Sequence, residues 1–144
     1  MKRILSIALI AVLAASLAVS SAIMPQAASK KTIIKELTAK KWNCYQCVVD
    51  GEKKSPYDFY GSVVRDAGAY IKFTKDKTFK CNLGSFGCKG TYAVNTDRVI
   101  KLKVIKEWNA KKTYKANKTY KGKISADYKK TAFKMFGAKN YFKK

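Results

Sequence analysis

Residues 70–94, YIKFTKDKTFKCNLGSFGCKGTYAV, constrain the fold more than any other part of this chain. Ile71 and Phe73 alternate with Tyr70, Lys72 and Thr74. Phe79, Cys81 and Leu83 alternate with Thr78, Lys80 and Asn82. Cys88, Gly90, Tyr92 and Val94 alternate with Lys89, Thr91 and Ala93. Period-two alternation puts one set on a buried face and the other in water. The turn residues Lys75-Asp76-Lys77 and Gly84-Ser85-Phe86-Gly87 separate the runs, so the stretch reads as three antiparallel strands in succession. Cys81 and Cys88 fall on the inward parity.

The remaining chain repeats the pattern. Lys41 to Val49 reads as a strand with Trp42, Cys44, Gln46 and Val48 on one face and Asn43, Tyr45, Cys47 and Val49 on the other. Asp50-Gly51 ends it as a turn. Ser55, Pro56 and Asp58 form a helix-start signature, with Ser55 as N-cap. Phe59, Tyr60, Val63 and Val64 then share a helical face over residues 56–66, and Gly68 stops the helix. Arg98 to Trp108 reads as a long strand with Ile100, Leu102, Val104 and Trp108 on one face. The KTYK of residues 112–115 recurs at 118–121, too close for a solenoid repeat. It reads as two strands of a hairpin over Ala116-Asn117 or as one bent strand. Residues 131–136 and 140–142 are the last strands, parted by Gly137-Ala138. Eight or nine short strands with tight connections and one short helix predict an all-β, antiparallel up-and-down meander closing into a barrel.

The first residues read differently. Lys2 and Arg3 precede an apolar run from Ile4 to Val19, and Ser20-Ser21-Ala22 follows as a cleavage site. Residues 1–22 therefore read as a signal peptide, 23–36 as a polar tether ending near a helical turn, and 37–144 as the barrel domain. No later apolar run follows, so no transmembrane segment is expected after cleavage, and the mature protein is expected to be secreted or associated with the cell surface.

In an exported chain, Cys44, Cys47, Cys81 and Cys88 are expected to form disulfides. Cys81 can reach Cys88 across the hairpin where the loop sets them opposite. Cys44 and Cys47 lie on opposite faces of a regular strand. Either that strand is bent, or each pairs with a hairpin cysteine; a regular strand favours the second.

The chain has no histidine, and its nine carboxylates are scattered, mostly in turns. The commonest general base and catalytic zinc ligand are missing, so no enzyme, cofactor or metal is expected. Cys44-x-x-Cys47 lacks the helix N-terminus that activates a redox thiol. Cys81 and Cys88 are too far apart for a zinc knuckle.

Charge points to a partner. The formal net charge is +22. Without the leader, 29 basic residues face nine acids, and only Arg65 and Arg98 are arginine. Lysine suits diffuse attraction to a polyanion better than base readout. The C-terminal third presents Lys111, Lys112, Lys115, Lys118, Lys121 and Lys123 as a candidate polyanion surface. Tyr114, Tyr120, Tyr128 and Tyr141 among the lysines could stack bases, but tyrosine is a good strand former and the ordinary strand reading is favoured. Inside the barrel, Trp42, Phe73, Phe79, Tyr92, Leu102 and Trp108 are the candidate lining of a small apolar cavity, or plain core filling. The chain is expected to be a monomer.

The opening strand with Trp42, the Asp50-Gly51 turn, YIKFTKDKTF at 70–79, GTYAV at 90–94, Ile100 to Leu102 and the closing Tyr141 to Lys144 resemble the small secreted lipocalin-like domains of Gram-positive bacteria. The resemblance covers residues 36–144. Lys77 stands where that family favours glycine, and the four cysteines and many lysines depart from its pattern. The resemblance implies a lipocalin-like barrel with an apolar interior and one open end for a small ligand, without fixed binding residues. The function expected is therefore binding at the bacterial cell surface, of a small apolar ligand or an anionic envelope polymer. The alternatives are a nucleic-acid-binding barrel and a secreted inhibitor or immunity factor.

Overall fold

The computed structural model describes residues 27–144. The expected signal peptide and the first residues of the tether lie outside them. Nine strands follow in chain order: β1 (Trp42–Val49), β2 (Glu52–Lys54), β3 (Ala69–Phe73), β4 (Thr78–Leu83), β5 (Phe86–Val94), β6 (Val99–Trp108), β7 (Thr113–Ile124), β8 (Lys130–Met135) and β9 (Ala138–Lys143). From β3 to β9 each strand pairs antiparallel with the next, and β9 pairs with β1. This closes an eight-stranded antiparallel barrel, with β2 as a ninth strand beside it. β2 and β3 share one edge of β1: β3 takes Trp42 and Asn43, and β2 takes Cys47 to Val49.

Alternation builds the core as expected. Ile71, Phe73, Phe79, Cys81, Leu83, Cys88, Tyr92, Ile100, Leu102 and Val104 all point inward and are buried. Trp42, Phe133 and Phe142 add the largest side chains. The KTYK repeat is one strand, β7, bent at Ala116-Asn117. Turn chemistry follows the residues. Phe136 and Gly137, at φ 55 and 77, form the two-residue link between β8 and β9, where both central residues need positive φ. Gly84 opens the β4–β5 turn at φ 72, and the loop is only Gly84-Ser85, so Cys81 stands directly opposite Cys88.

Two single-residue bulges break the alternation. On β1, Tyr45 has no partner in β9 between the Cys44–Phe142 and Gln46–Tyr141 pairs. On β6, Ile105 has none in β5 between the Lys106–Lys89 and Val104–Gly90 pairs. An extra residue reverses the side-chain parity beyond it. Cys47 therefore joins Cys44 inside, so the bent-strand alternative holds. Glu107 turns inward, 6% exposed, and Trp108 turns outward, a correction to its expected inward face.

The helices also differ from the sequence reading. The helix expected over 56–66 is two short ones, α2 (Pro56–Tyr60) and α3 (Val63–Ala67), because Gly61 at φ 85 breaks the ladder. Ser55 caps α2 by accepting from the Asp58 amide. Much of the expected tether is helical. Counted here as α1, Lys30–Thr38 is capped by Ser29, and Ile33 and Leu37 on one face are fully buried. Trp42 Nε1 donates to Leu37 O at 2.9 Å, and Lys144 pairs with Glu36. α1 packs on β3 and β5 and closes one end of the barrel. Among the described residues no helix is long and apolar enough to cross a membrane.

Candidate functional site

The outer face of β3 to β7 carries a ladder that no single strand reveals. Lys72 stands opposite Lys80, Lys80 opposite Lys89, Lys89 opposite Lys106, and Lys106 opposite Lys115. Five lysines thus lie in one row across five adjacent strands, all exposed. At the usual strand spacing of about 4.8 Å the row spans roughly 19 Å. None of them is in a salt bridge among the described residues; the three bridges present use Lys54, Lys118 and Lys144. Like charges directly opposite one another are destabilising, each pair by a few tenths to about 1 kcal/mol. The row is therefore an unneutralised line of charge built into the sheet.

The ladder has a groove and an aromatic flank. Lys72, Lys80, Lys89 and Lys106 line a concavity of about 480 Å³, with the bulge residue Ile105 among its walls. Gly90 permits this geometry, since a Cβ there would lie 1.9 Å from Lys103 O. Beside the row, Trp108 lies over Gly87, with Lys80 Nζ 5.9 Å from its ring centroid.

A second constellation sits at the end of the barrel away from α1. β7 pairs with β8 only through Gly122, Lys123 and Ile124, so the strands part beyond. A cavity of about 490 Å³ opens there, lined by Glu107, Lys118, Tyr120, Lys134, Met135 and Phe136, among others. Glu107 accepts from Lys118 Nζ at 2.7 Å and from Tyr120 OH at 3.2 Å. Burial, and then the Glu107 carboxylate, push the Tyr120 hydroxyl pKa up. Asn140, fully buried, accepts from Tyr60 OH at 2.8 Å and Cys47 Sγ at 3.3 Å. Its Nδ2 donates to Met135 O and Ala138 O, which pins the Phe136-Gly137 turn. Burial raises the Tyr60 pKa despite its bond to Asn140.

All four cysteines are thiols, which corrects the expected disulfides. Cys44 and Cys47 are close, with Sγ atoms 4.0 Å apart. The hydrogen bond between them lowers the Cys47 pKa and raises that of Cys44, to which burial adds. Burial is the first cause of the raised Cys81 pKa, its Cys88 neighbour the second.

The residues singled out in the sequence are distributed as follows. Trp42, Phe73, Phe79, Tyr92 and Leu102 are inside at 0–4% exposure and packed as core, while Trp108 is outside by the bulge. Of the six C-terminal lysines, Lys115 ends the ladder. Lys118 stands opposite inward Val104 and is held by Glu107. Lys121 and Lys123 lie on the outer face near Lys134 and Lys139. Lys111 and Lys112 sit in the β6–β7 loop, where both backbone amides donate to Asn109 Oδ1. Sequence reasoning missed Lys72, Lys80, Lys89 and Lys106. The outward parity of Lys72, Lys80 and Lys89 was readable, that of Lys106 depends on the Ile105 bulge, and the alignment of all four depends on cross-strand register.

Comparison with protein-family models, with curated proteins and with solved structures returns no match for this chain.

Proposed function

We propose that this protein is an exported, non-enzymatic binding protein of the bacterial cell surface, similar to the lipocalin-like secreted domains, that holds a linear anionic envelope polymer along its lysine ladder. The observation that carries this reading is the unpaired row Lys72–Lys80–Lys89–Lys106–Lys115. A polyanion laid across the strands offsets the repulsion between neighbouring lysines and releases its own counterions. The groove and Trp108 give the row a shape as well as a charge. The packed aromatic interior favours this outer face over an apolar ligand inside the barrel.

The test is titration of the full mature chain with poly(glycerol phosphate), followed by tryptophan emission across salt concentrations, with Trp108→Phe as the control that isolates the Trp108 signal from that of Trp42. Five contacts to a flexible polyanion correspond to a slope of about −3.5 in log K against log salt. The triple variant K80Q/K89Q/K106Q is expected to bind at least about tenfold more weakly than the charge-matched control K111Q/K112Q/K121Q. Equal losses in both overturn the ladder in favour of diffuse charge. Tighter binding to oligo(dT) at equal charge favours the nucleic-acid alternative. Retention of one protein partner at high salt favours the inhibitor alternative.

A further inference from the structure

We propose that the gap between β7 and β8 is a second binding site, and that it takes a neutral polyhydroxylated ligand, a sugar unit in chemical class. Three independent features build it. The bulge at Ile105 rotates Glu107 into the barrel end, where a carboxylate is held only by its partners Lys118 and Tyr120. The short β7–β8 ladder leaves the strands apart at this level, giving the 490 Å³ opening. That size is in the range of small-ligand pockets. The third feature is Phe136. It occupies φ 55 in a turn that asparagine fills with far less strain, and buried Asn140 pins the residues on either side.

The polar groups define the ligand. The Glu107 carboxylate has about four acceptor positions and uses two. The Lys118 ammonium has three protons and gives one to Glu107. An acceptor and a donor 2.7 Å apart match two neighbouring hydroxyls of a sugar ring, one donating and one accepting. Phe136, whose ring packs against Phe86 with centroids 6.1 Å apart, and Met135 supply apolar surface for the C–H face of the ring. A cationic ligand is opposed by the net charge of the chain. A strongly anionic one must compete with Glu107 for Lys118.

The probes are the neutral trisaccharides chitotriose and maltotriose, titrated into the full mature chain labelled with nitrogen-15. Millimolar binding is expected, with shifts clustered at Glu107, Tyr120 and Phe136. Phe136→Asn is expected to raise Tm while weakening binding by at least about tenfold. Glu107→Gln is expected to weaken binding similarly, and K80Q/K89Q/K106Q to leave it unchanged, which separates this site from the ladder. The proposal is overturned if neither trisaccharide shifts these resonances, if Phe136→Asn binds as the parent does, or if only acidic sugars bind.

Discussion

Trp108 lies across Gly87 on the neighbouring strand, so close that a Cβ on Gly87 would sit 2.1 Å from the ring atom Cζ2. The ring replaces the missing side chain and shields the backbone of β5. Gly87→Ala is therefore expected to displace Trp108 and destabilise the fold by about 1–3 kcal/mol, the usual range for overpacking. Urea unfolding followed by circular dichroism measures the loss, and a red shift of tryptophan emission reports the displaced ring. An unchanged midpoint and spectrum would contradict this contact.

The ladder makes a stability prediction that is independent of any ligand. Lys89 has Lys80 on one side and Lys106 on the other. Lys89→Glu turns two like-charge contacts into attractive ones and is expected to stabilise by about 1 kcal/mol at low salt. The gain should shrink at high ionic strength, because the Debye length falls from about 10 Å at 0.1 M to about 3 Å at 1 M, below the strand spacing of about 4.8 Å. Thermal unfolding at two salt concentrations checks it. A gain independent of salt would point to packing or propensity.

The plug helix carries a pH signature. Lys144 donates to the Glu36 carboxylate and holds its pKa below the ordinary 4.5. A carboxyl whose folded pKa is depressed adds stability that is present above its unfolded pKa and lost as the pH falls through the folded value. Acidification below about 4.5 is expected to loosen α1 first, and Lys144→Ala to remove that part of the pH dependence. Hydrogen exchange at Ile33 and Leu37 amides between neutral and acid pH gives the measurement. Exchange that is equally pH-sensitive in Lys144→Ala would assign the effect elsewhere.

The thiols predict an oxidation pattern. Cys81 and Cys88 are direct cross-strand neighbours, and Cys44 and Cys47 lie 4.0 Å apart at Sγ. Mild diamide oxidation is expected to join Cys81 to Cys88 and Cys44 to Cys47, and peptide mapping reads the linkage. A crosslink between the first strand and the hairpin would show that the barrel end rearranges before it oxidises.

The sequence was legible wherever the backbone is regular. The alternation over Tyr70–Val94 and Ile100–Val104 identified the inward residues, and Ser55 marked the start of α2. It was illegible at Tyr45 and Ile105. A bulge leaves no mark in the alternation that a loop or a polar strand would not also leave, so period two put Cys47 on the face opposite Cys44 and Trp108 on the inward face. Neither bulge residue is glycine. Lys77, Arg98 and Tyr128 also adopt positive φ without being glycine, each directly after an aspartate, so local composition alone understates how tight these turns are.

By itself the sequence determined an antiparallel meander of short strands, the positions of its turns and a lysine-rich, histidine-free surface, because these depend on side-chain period and composition. The tertiary structure decided closure through β1 and β9, the conversion of much of the tether into a plug helix, and which lysines stand in one row. The ladder is a property of register. Lys72, Lys80, Lys89, Lys106 and Lys115 are scattered along more than 40 residues of chain, and only the hydrogen-bonded alignment of five strands brings them into one row.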